Sequence, residues 1–510
     1  MTIETIKLYE MGLFPELYLG IGIIYLIVHG LFVSFNTTNN FPLVQSSIVS
    51  LSVLCLTMVC FLFLNENCSN LNYVSFCNTI AIDYLSLSAK LVLGVSSIGC
   101  LLLIQPYLAT QRINFFEYVI ILLFAILGLF LLCSANDLIT AYLAIELQSL
   151  SFYVLAAFKK DSTYSVESGL KYFILGAFSS GLFLFGSSMI YGLSGTVNFE
   201  DLKDLMLFDM SFNQGFLVTK SLMITYNNLV LVGLMFIFVS LFFKLALAPF
   251  HLWSPDVYEG SPSSSTLFFA IVPKISIFIL LSRLSYYAFP SFISAWQEYV
   301  TIIAISSVIV GSMAGLEQRK LKSLLAYSSI SHMGYLLISF SAGNLEGFQM
   351  LFGYLIIYIG SGLCIWSVFI LTKLKTVYSK KQNKDLGDLV FLSKSNNMLA
   401  IVLATALFST AGLPPMIGFI LKLSIFLVAI EQSFYIAALI SIVFSVVSTF
   451  FYLRIIKILF FEPVLVGRLY YPIKTSRALI GAVFFYLFIF LFINPSMLYL
   501  FSQKVSLLFV

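Results

Sequence analysis

Five ionisable residues lie inside stretches apolar enough to sit in hydrocarbon, and that placement needs a chemical reason. Glu146 is embedded in LITAYLAIELQSLSFYVLAA, Lys171 in LKYFILGAFSSGLFLFG and Lys244 in LVLVGLMFIFVSLFFKLAL. Lys274 follows Pro273 in STLFFAIVPKISIFILL, and Lys422 lies in GFILKLSIFLVA. A charged lysine at the bilayer centre costs about 2.5–3.5 kcal/mol on insertion scales, so four sum to roughly 10–14 kcal/mol unless paired, hydrated or neutral. Such residues read by default as an ion or proton route. A carboxylate near a buried lysine favours its charged form, so changing their separation loads or unloads a proton. His332, in AYSSISHMGYLLI, adds a group that titrates near neutrality, beside Ser328, Ser329 and Ser331.

Each residue also has a plainer reading. Glu146 fits a structural ion pair or a hydrogen-bonded core acid, and His332 a satisfied core histidine. Lys171 follows Glu167 by four residues, the spacing of an ion pair along one helix face. Snorkelling to an interface is the alternative for Lys244 and Lys274. His251, in PFHLWSPD, is expected to order a helix break, and Lys90, seven residues after Asp83, to be interfacial or structural. No Gly-rich phosphate loop, haem attachment site or metal-ligand cluster is visible, so no redox centre is expected in this chain.

The elements that position these residues follow from composition. Of 510 residues 60% are hydrophobic and 10% charged, with a mean hydropathy of +1.01. That is a polytopic all-α membrane protein, with spans of about 20 residues each. The opening MTIETIKLYEMG reads as neither a cleavable signal nor a transit peptide, so insertion is expected to rely on the spans. Apolar runs predict fourteen helices near 14–34, 44–64, 79–105, 114–133, 137–158, 167–193, 228–258, 262–288, 298–316, 322–341, 346–372, 397–430, 433–460 and 476–499. The seventh is interrupted by Pro249 and Pro255, the twelfth by Gly412, Pro414 and Pro415. Freed backbone groups at membrane depth are tolerated only inside protein or beside water. Breaks at matching places point to an inverted repeat of two five-helix units, helices 4–8 (114–288) and 9–13 (298–460), with discontinuous helices 7 and 12. Residues 1–113 supply three preceding helices and 476–510 a fourteenth.

Basic residues concentrate in loops after odd-numbered helices, above all in KLKTVYSKKQNKDLGDLVFLSK, whereas Lys7, Lys203, Lys220, Arg283 and Lys504 fall on the other side. By the positive-inside rule the odd loops face inward and both termini outward. Of the seven cysteines, Cys55, Cys60, Cys100, Cys133 and Cys364 read as small core residues. Cys68 and Cys77 flank a polar outward loop and are candidates for a disulfide.

Several long motifs carry a family likeness. FKLALAPFHLWSPDVYEGSPSSSTLFFAIVPKISIF, NDLITAYLAIELQSLSFYVLAA, ESGLKYFILGAFSSGLFLFGSSMIYG, LLAYSSISHMGYLLI and STAGLPPMIGFILKLSIF resemble a family of complex I membrane-arm subunits. It is called subunit 2 of mitochondrial NADH dehydrogenase and subunit N in bacteria. The likeness is close over 114–462 and looser at the ends, and the wording IVPKISIF is nearer the mitochondrial form than the plastid one. It implies a core subunit of NADH:ubiquinone oxidoreductase in the mitochondrial inner membrane, with both termini in the intermembrane space. Glu146 would partner Lys244, Lys171 would modulate them, Lys274 and His332 would lie on a hydrated central axis, and Lys422 would end the second half-channel. FMN, iron–sulfur clusters and the ubiquinone site would belong to other subunits. Expected partners are further membrane-arm subunits, especially subunits 4 and 4L, and lipids such as cardiolipin, with no nucleic acid. An Mrp-like cation/proton antiporter is the alternative, and a membrane-arm spacer that moves no ions a third reading.

Overall fold

In hydrocarbon every backbone polar group must find its partner within the protein, which leaves a chain this apolar to fold as packed helices. A computed structural model describes residues 12–34, 41–66, 73–111, 115–212, 220–375, 380–382, 385–390, 392–462, 469–470 and 475–508. Its principal helices are α1 (Phe14–Ser34), α2 (Phe41–Asn65), α3 (Tyr84–Gln111), α4 (Glu117–Ser134), α5 (Leu138–Ala157), α6 (Thr163–Ser194) and α7 (Phe199–Phe212). There follow α8 (Lys220–Leu245), α9 (Trp253–Gly260), α10 (Ser263–Ile271), α11 (Pro273–Ser282), α12 (Ile293–Glu317), α13 (Leu321–Ser341) and α14 (Leu345–Leu371). The last are α15 (Asn397–Ala411), α16 (Ile417–Glu431), α17 (Tyr435–Phe460), α18 (Thr475–Ile493) and α19 (Ser496–Leu507).

Among the described residues eleven helices are long and apolar enough to cross a membrane, or twelve if the pair bent by 85° at Asn494–Pro495 is one span. The difference from the expected fourteen lies at two places. The serines and His332 of α13 dilute its apolar character, and α15 and α16, with 15 residues each, are too short to span singly. The span over 263–288 has every residue of its most apolar window buried, so it forms the centre of the molecule. Helices α6 and α17 have only 33% of theirs buried and present long apolar faces outward.

Both interruptions are real, and they share one design. The helix α8 ends with Ala246 at φ 60°, where Ala246 N–H donates to the Phe243 carbonyl and Leu247 N–H to that of Phe242. The helix α15 ends with Gly412 at φ 78°, where Gly412 N–H donates to Ser409 and Leu413 N–H to Phe408. Each is a Schellman stop, which leaves the last two carbonyls of the helix without a backbone donor. Pro255, expected as part of the first break, instead sits in the first turn of α9. There the absent N–H removes no helical bond. The break proper spans residues 246–252.

Loops alternate between two faces. On one, the backbones of Lys320 and Asp385 pair in an isolated antiparallel β-bridge, Lys322 Nζ donates to the Ser261 carbonyl at 2.7 Å, and Lys159 Nζ donates to Gln111 Oε1 at 3.4 Å. The strand Lys373–Lys375 pairs there with Lys380–Gln382 and Leu469–Tyr470. On the other face Asn136 and Asn198 both donate to the Asn78 carbonyl, beside a hairpin of Tyr73–Ser75 and Ile80–Ile82. Loops after odd-numbered segments thus meet on the first face.

The N-terminal helices are fastened by charge. Lys90 is buried, not interfacial, and pairs with buried Glu16 at 2.5 Å. Asp83 pairs with Arg283 at 2.6 Å. Burial lifts the Glu66 carboxyl to about 7, with Lys90 opposing and Glu16 adding to the rise. Cys60, Cys100, Cys133 and Cys364 are buried and Cys55 partly so, while Cys77 is exposed; Cys68 lies outside the described residues.

Two outcomes follow from this packing. Lys90→Met strands the Glu16 carboxylate and should cost about 3–5 kcal/mol, whereas Lys90→Met with Glu16→Leu should recover most of that loss. Thermal unfolding in detergent separates the two. Gly412→Ala puts a side chain at positive φ, worth about 1–3 kcal/mol of strain, and its methyl would press on Lys422 Cδ at 2.7 Å. A lower unfolding midpoint is expected; an unchanged one would show that the break needs no glycine.

Candidate functional site

The free carbonyls at the two breaks are where the buried lysines go. Lys274, entering α11 directly after Pro273, donates through Nζ to the Leu245 carbonyl at 2.8 Å. Lys422, on α16, folds back across its own break and donates to the Thr410 and Ala411 carbonyls at 2.8 and 2.9 Å. A helix C-terminus carries partial negative charge, so it attracts an ammonium as well as needing its hydrogens. All three of Lys244, Lys274 and Lys422 are buried, and none reaches an interface by snorkelling.

Lys244 occupies the last turn of α8 and donates to the Tyr153 hydroxyl at 3.3 Å, with the Tyr153 ring centroid 5.7 Å from Nζ. Glu146, Ser149 and Tyr153 lie on one face of α5, at spacings of three and four residues. The Ser149 hydroxyl contacts Glu146 Oε2 at 3.4 Å and neighbours the Tyr153 hydroxyl. Among the described residues no direct ion pair joins Glu146 to Lys244; two hydroxyls stand between them. Glu146 Oε1 is buried without a hydrogen-bond partner.

The second half uses the same chemistry around His332. Its Nδ1 lies 2.7 Å from the Tyr354 hydroxyl and its Nε2 3.0 Å from that of Tyr452. In a neutral ring one nitrogen donates and the other accepts, so exchanging tautomers reverses both bonds. A cavity of about 30 Å³ beside it is lined by Ser328, Tyr358, Ser361, Thr410 and Tyr452, enough room for a water molecule. Thr410 is also the residue whose carbonyl holds Lys422. The Lys422 ammonium sits 5.2 Å from the Tyr335 ring centroid. Tyr358 donates to the Ala270 carbonyl at 3.0 Å, tying α14 to the central span.

Lys171 stands apart from this interior line. It pairs with Glu167 at 2.9 Å and with Asp256 at 3.0 Å, its side chain 45% exposed. These groups line a vestibule of about 540 Å³ that also takes in Lys159, Glu259, Lys320 and Asp385. Glu259 pairs with Lys320 and lifts that lysine's pKa. His251 lies in the break itself, partly buried, near the Tyr327 ring. The sequence reading passed over the tyrosines and Asp256. Tyr153 had a signal, since it lies seven residues from Glu146 on the same face; Tyr354 and Tyr452 come from distant helices and had none.

The geometry invites comparison with known chains. The transmembrane family described as NADH:quinone oxidoreductase/Mrp antiporter matches residues 135–449. NADH-ubiquinone oxidoreductase chain 2 of Marchantia polymorpha is 39% identical over 502 residues, 98% of each chain. NADH-quinone oxidoreductase subunit N of Paramagnetospirillum magneticum is 40% identical over 405 residues, 79% of this chain and 80% of that one. A chain of the respiratory complex I of Thermus thermophilus superposes with a TM-score of 0.77 at 26% identity, covering 95% of this chain and 98% of that one. The chain therefore belongs to the NADH:quinone oxidoreductase/Mrp antiporter family, alongside the oxidoreductase subunits known as chain 2 and subunit N.

Proposed function

We propose that the chain is the chain 2/subunit N component of the membrane arm of NADH:quinone oxidoreductase and that it moves protons through its buried Glu146, Lys244, Lys274, His332 and Lys422. One observation carries the proton route. Lys244, Lys274 and Lys422 sit at or donate to the ends of broken helices, and tyrosine side chains adjoin Lys244 and Lys422. Names of relatives near 40% identity over most of the chain support the assignment to the oxidoreductase over an Mrp-like antiporter. The fourteen-segment reading, with two five-helix units related by inversion, is supported by the matching Schellman stops of α8 and α15.

On this reading a proton enters from the face where the odd-numbered loops gather and meets Lys244, whose charge Glu146 stabilises through Ser149 and Tyr153. Lys274 and His332 continue the line through the centre, and Lys422 passes the proton towards the opposite face. FMN, iron–sulfur clusters and the quinone site belong to other subunits, and further membrane-arm subunits, among them subunits 4 and 4L, cover outward apolar faces together with lipid. The setting is the mitochondrial inner membrane, with the termini in the intermembrane space.

Lys244→Met keeps the length and removes the charge, so assembly should persist. Quinone-linked turnover and proton pumping should fall together by about tenfold, the effect of about 1.4 kcal/mol on a barrier. Glu146→Gln should act in the same direction, while NADH oxidation by an artificial acceptor ahead of quinone stays near normal. Wild-type pumping by assembled Lys244→Met would make that lysine structural.

Orientation has its own test. A cysteine placed at exposed Lys394 should resist an impermeant thiol reagent applied from the intermembrane-space side. Modification from that side would invert the topology.

A further inference from the structure

The exposed vestibule and buried Lys244 are joined by one short element, α9. Its outer side carries Asp256 and Glu259, held by Lys171 and Lys320. Its inner side carries Trp253, which is buried. Trp253 Nε1 donates to the Phe243 carbonyl at 2.8 Å, one residue before Lys244. The Trp253 ring stacks on Tyr172 with centroids 4.6 Å apart at 10°, and Tyr172 meets Tyr153 edge-on at 4.8 Å. Tyr153 is the hydroxyl partner of Lys244. Lys171 and Tyr172 are neighbours on α6, so one residue grips the outer side of α9 while the next stacks on its inner side. At its far end Gly260 lies against the Tyr164 carbonyl and Ser168, where an added Cβ would sit 2.6–2.7 Å from each. The helix is bounded by the break at 246–252 and by Ser261–Pro262, so it is not continuous with its neighbours.

We propose that the Lys171–Asp256 ion pair is a latch: it holds α9 against α6, and through Trp253 sets the carbonyl and tyrosine hydroxyl that surround Lys244. Asp256 is then a positioning residue, acting on Lys244 through α9 without touching it. The inference rests on the proton-route reading given above. The latch is built to be weak. Both partners are about half exposed, 45% and 57%, and a pair of that kind shifts an equilibrium by a small factor, about fivefold at most. A stronger bond would fix α9 permanently, whereas a small bias between two positions is what a gate requires. The Lys320–Glu259 pair, one helical turn along, holds the same edge of α9 from the opposite loop.

The experiment uses the assembled complex in its membrane, with artificial-acceptor NADH oxidation as the measure of assembly. Asp256→Asn should lower quinone-linked turnover and pumping by about fivefold, the weight of one partly exposed pair, and Lys171→Asp, which also breaks the Glu167 pair, by at least as much. Lys171→Asp with Asp256→Lys restores the pair in reverse and should return turnover to within about twofold of the parent, as should Asp256→Glu. Trp253→Phe keeps the ring and loses the bond to Phe243, and combined with Asp256→Asn it should lose no more than the worse single change. Raising ionic strength screens an exposed pair, so it should slow the parent and leave Asp256→Asn unmoved. A charge-swapped enzyme as slow as Lys171→Asp would overturn the latch. So would Asp256→Asn at parental rate beside a stalled Lys244→Met, with the proton-route reading intact. If Lys244→Met itself pumps normally, the route falls and the latch with it.

Discussion

A helix that stops at membrane depth leaves its last carbonyls facing hydrocarbon, and much of this molecule is arranged around two such stops. The Schellman bonds of Ala246 and Leu247, and of Gly412 and Leu413, use the carbonyls one turn back. The carbonyls of Leu245, Thr410 and Ala411 then need donors from elsewhere, and lysine side chains supply them. Two costs offset each other. A lone carbonyl in hydrocarbon is worth several kcal/mol, and so is a lone ammonium, but each removes the other's deficit. The arrangement also tolerates a change of protonation. An ammonium has three hydrogens and a neutral amine two, so Lys422 satisfies both of its carbonyls in either state. A group that can gain or lose a proton without orphaning its neighbours is suited to carrying one.

The structure around those stops is stiff where it must be. The central span is buried throughout, and Tyr358 and Ser265 bond it to neighbouring helices through carbonyls at Ala270 and Leu155. The third helix is locked to it by Asp83–Arg283 and to the first by Glu16–Lys90. Buried pairs of this kind are costly to break singly. Against that frame the short helix α9 is the exception, tethered by ion pairs at its outer edge and by Trp253 at its inner one.

How far the sequence foretold this depends on the range of the interaction. Helices were legible because the hydrophobic runs are long, and the breaks because Pro249, Pro414 and Pro415 forbid continuous hydrogen bonding. Pro255 misled, since proline is equally at home in a helix's first turn, and only the fold distinguishes the two uses. Lys90 has Asp83 as its nearest acidic residue in sequence. Seven residues span about 10 Å of helix, too far for a direct pair, and the true partner came from α1. Lys171 looked interior because its neighbours are apolar, yet the loops that gather beside it open a vestibule. The tyrosines around His332 come from α14 and α17, and no local pattern announces an encounter between them.

The two halves share a stop but not its occupants, and the difference accounts for where the carboxylate is. At the end of α8 there are two lysines: Lys244 on the helix itself, turned towards Tyr153, and Lys274 from the next span on the carbonyl. Two ammoniums at one helix end repel in a low-dielectric interior, and a single helix dipole of about half a charge cannot balance both. A negative group nearby is then required whenever both are charged, and Glu146 supplies it at the distance of two hydroxyls. At the end of α15 Lys422 holds both carbonyls alone. Its titratable neighbour is a histidine clamped by two tyrosines, a group that can stay neutral without a counter-ion. The end of α8 therefore needs a counter-charge within reach of two ammoniums. The end of α15, with one lysine on its two carbonyls beside a histidine held between hydroxyls, sets its helix dipole against a single ammonium at most.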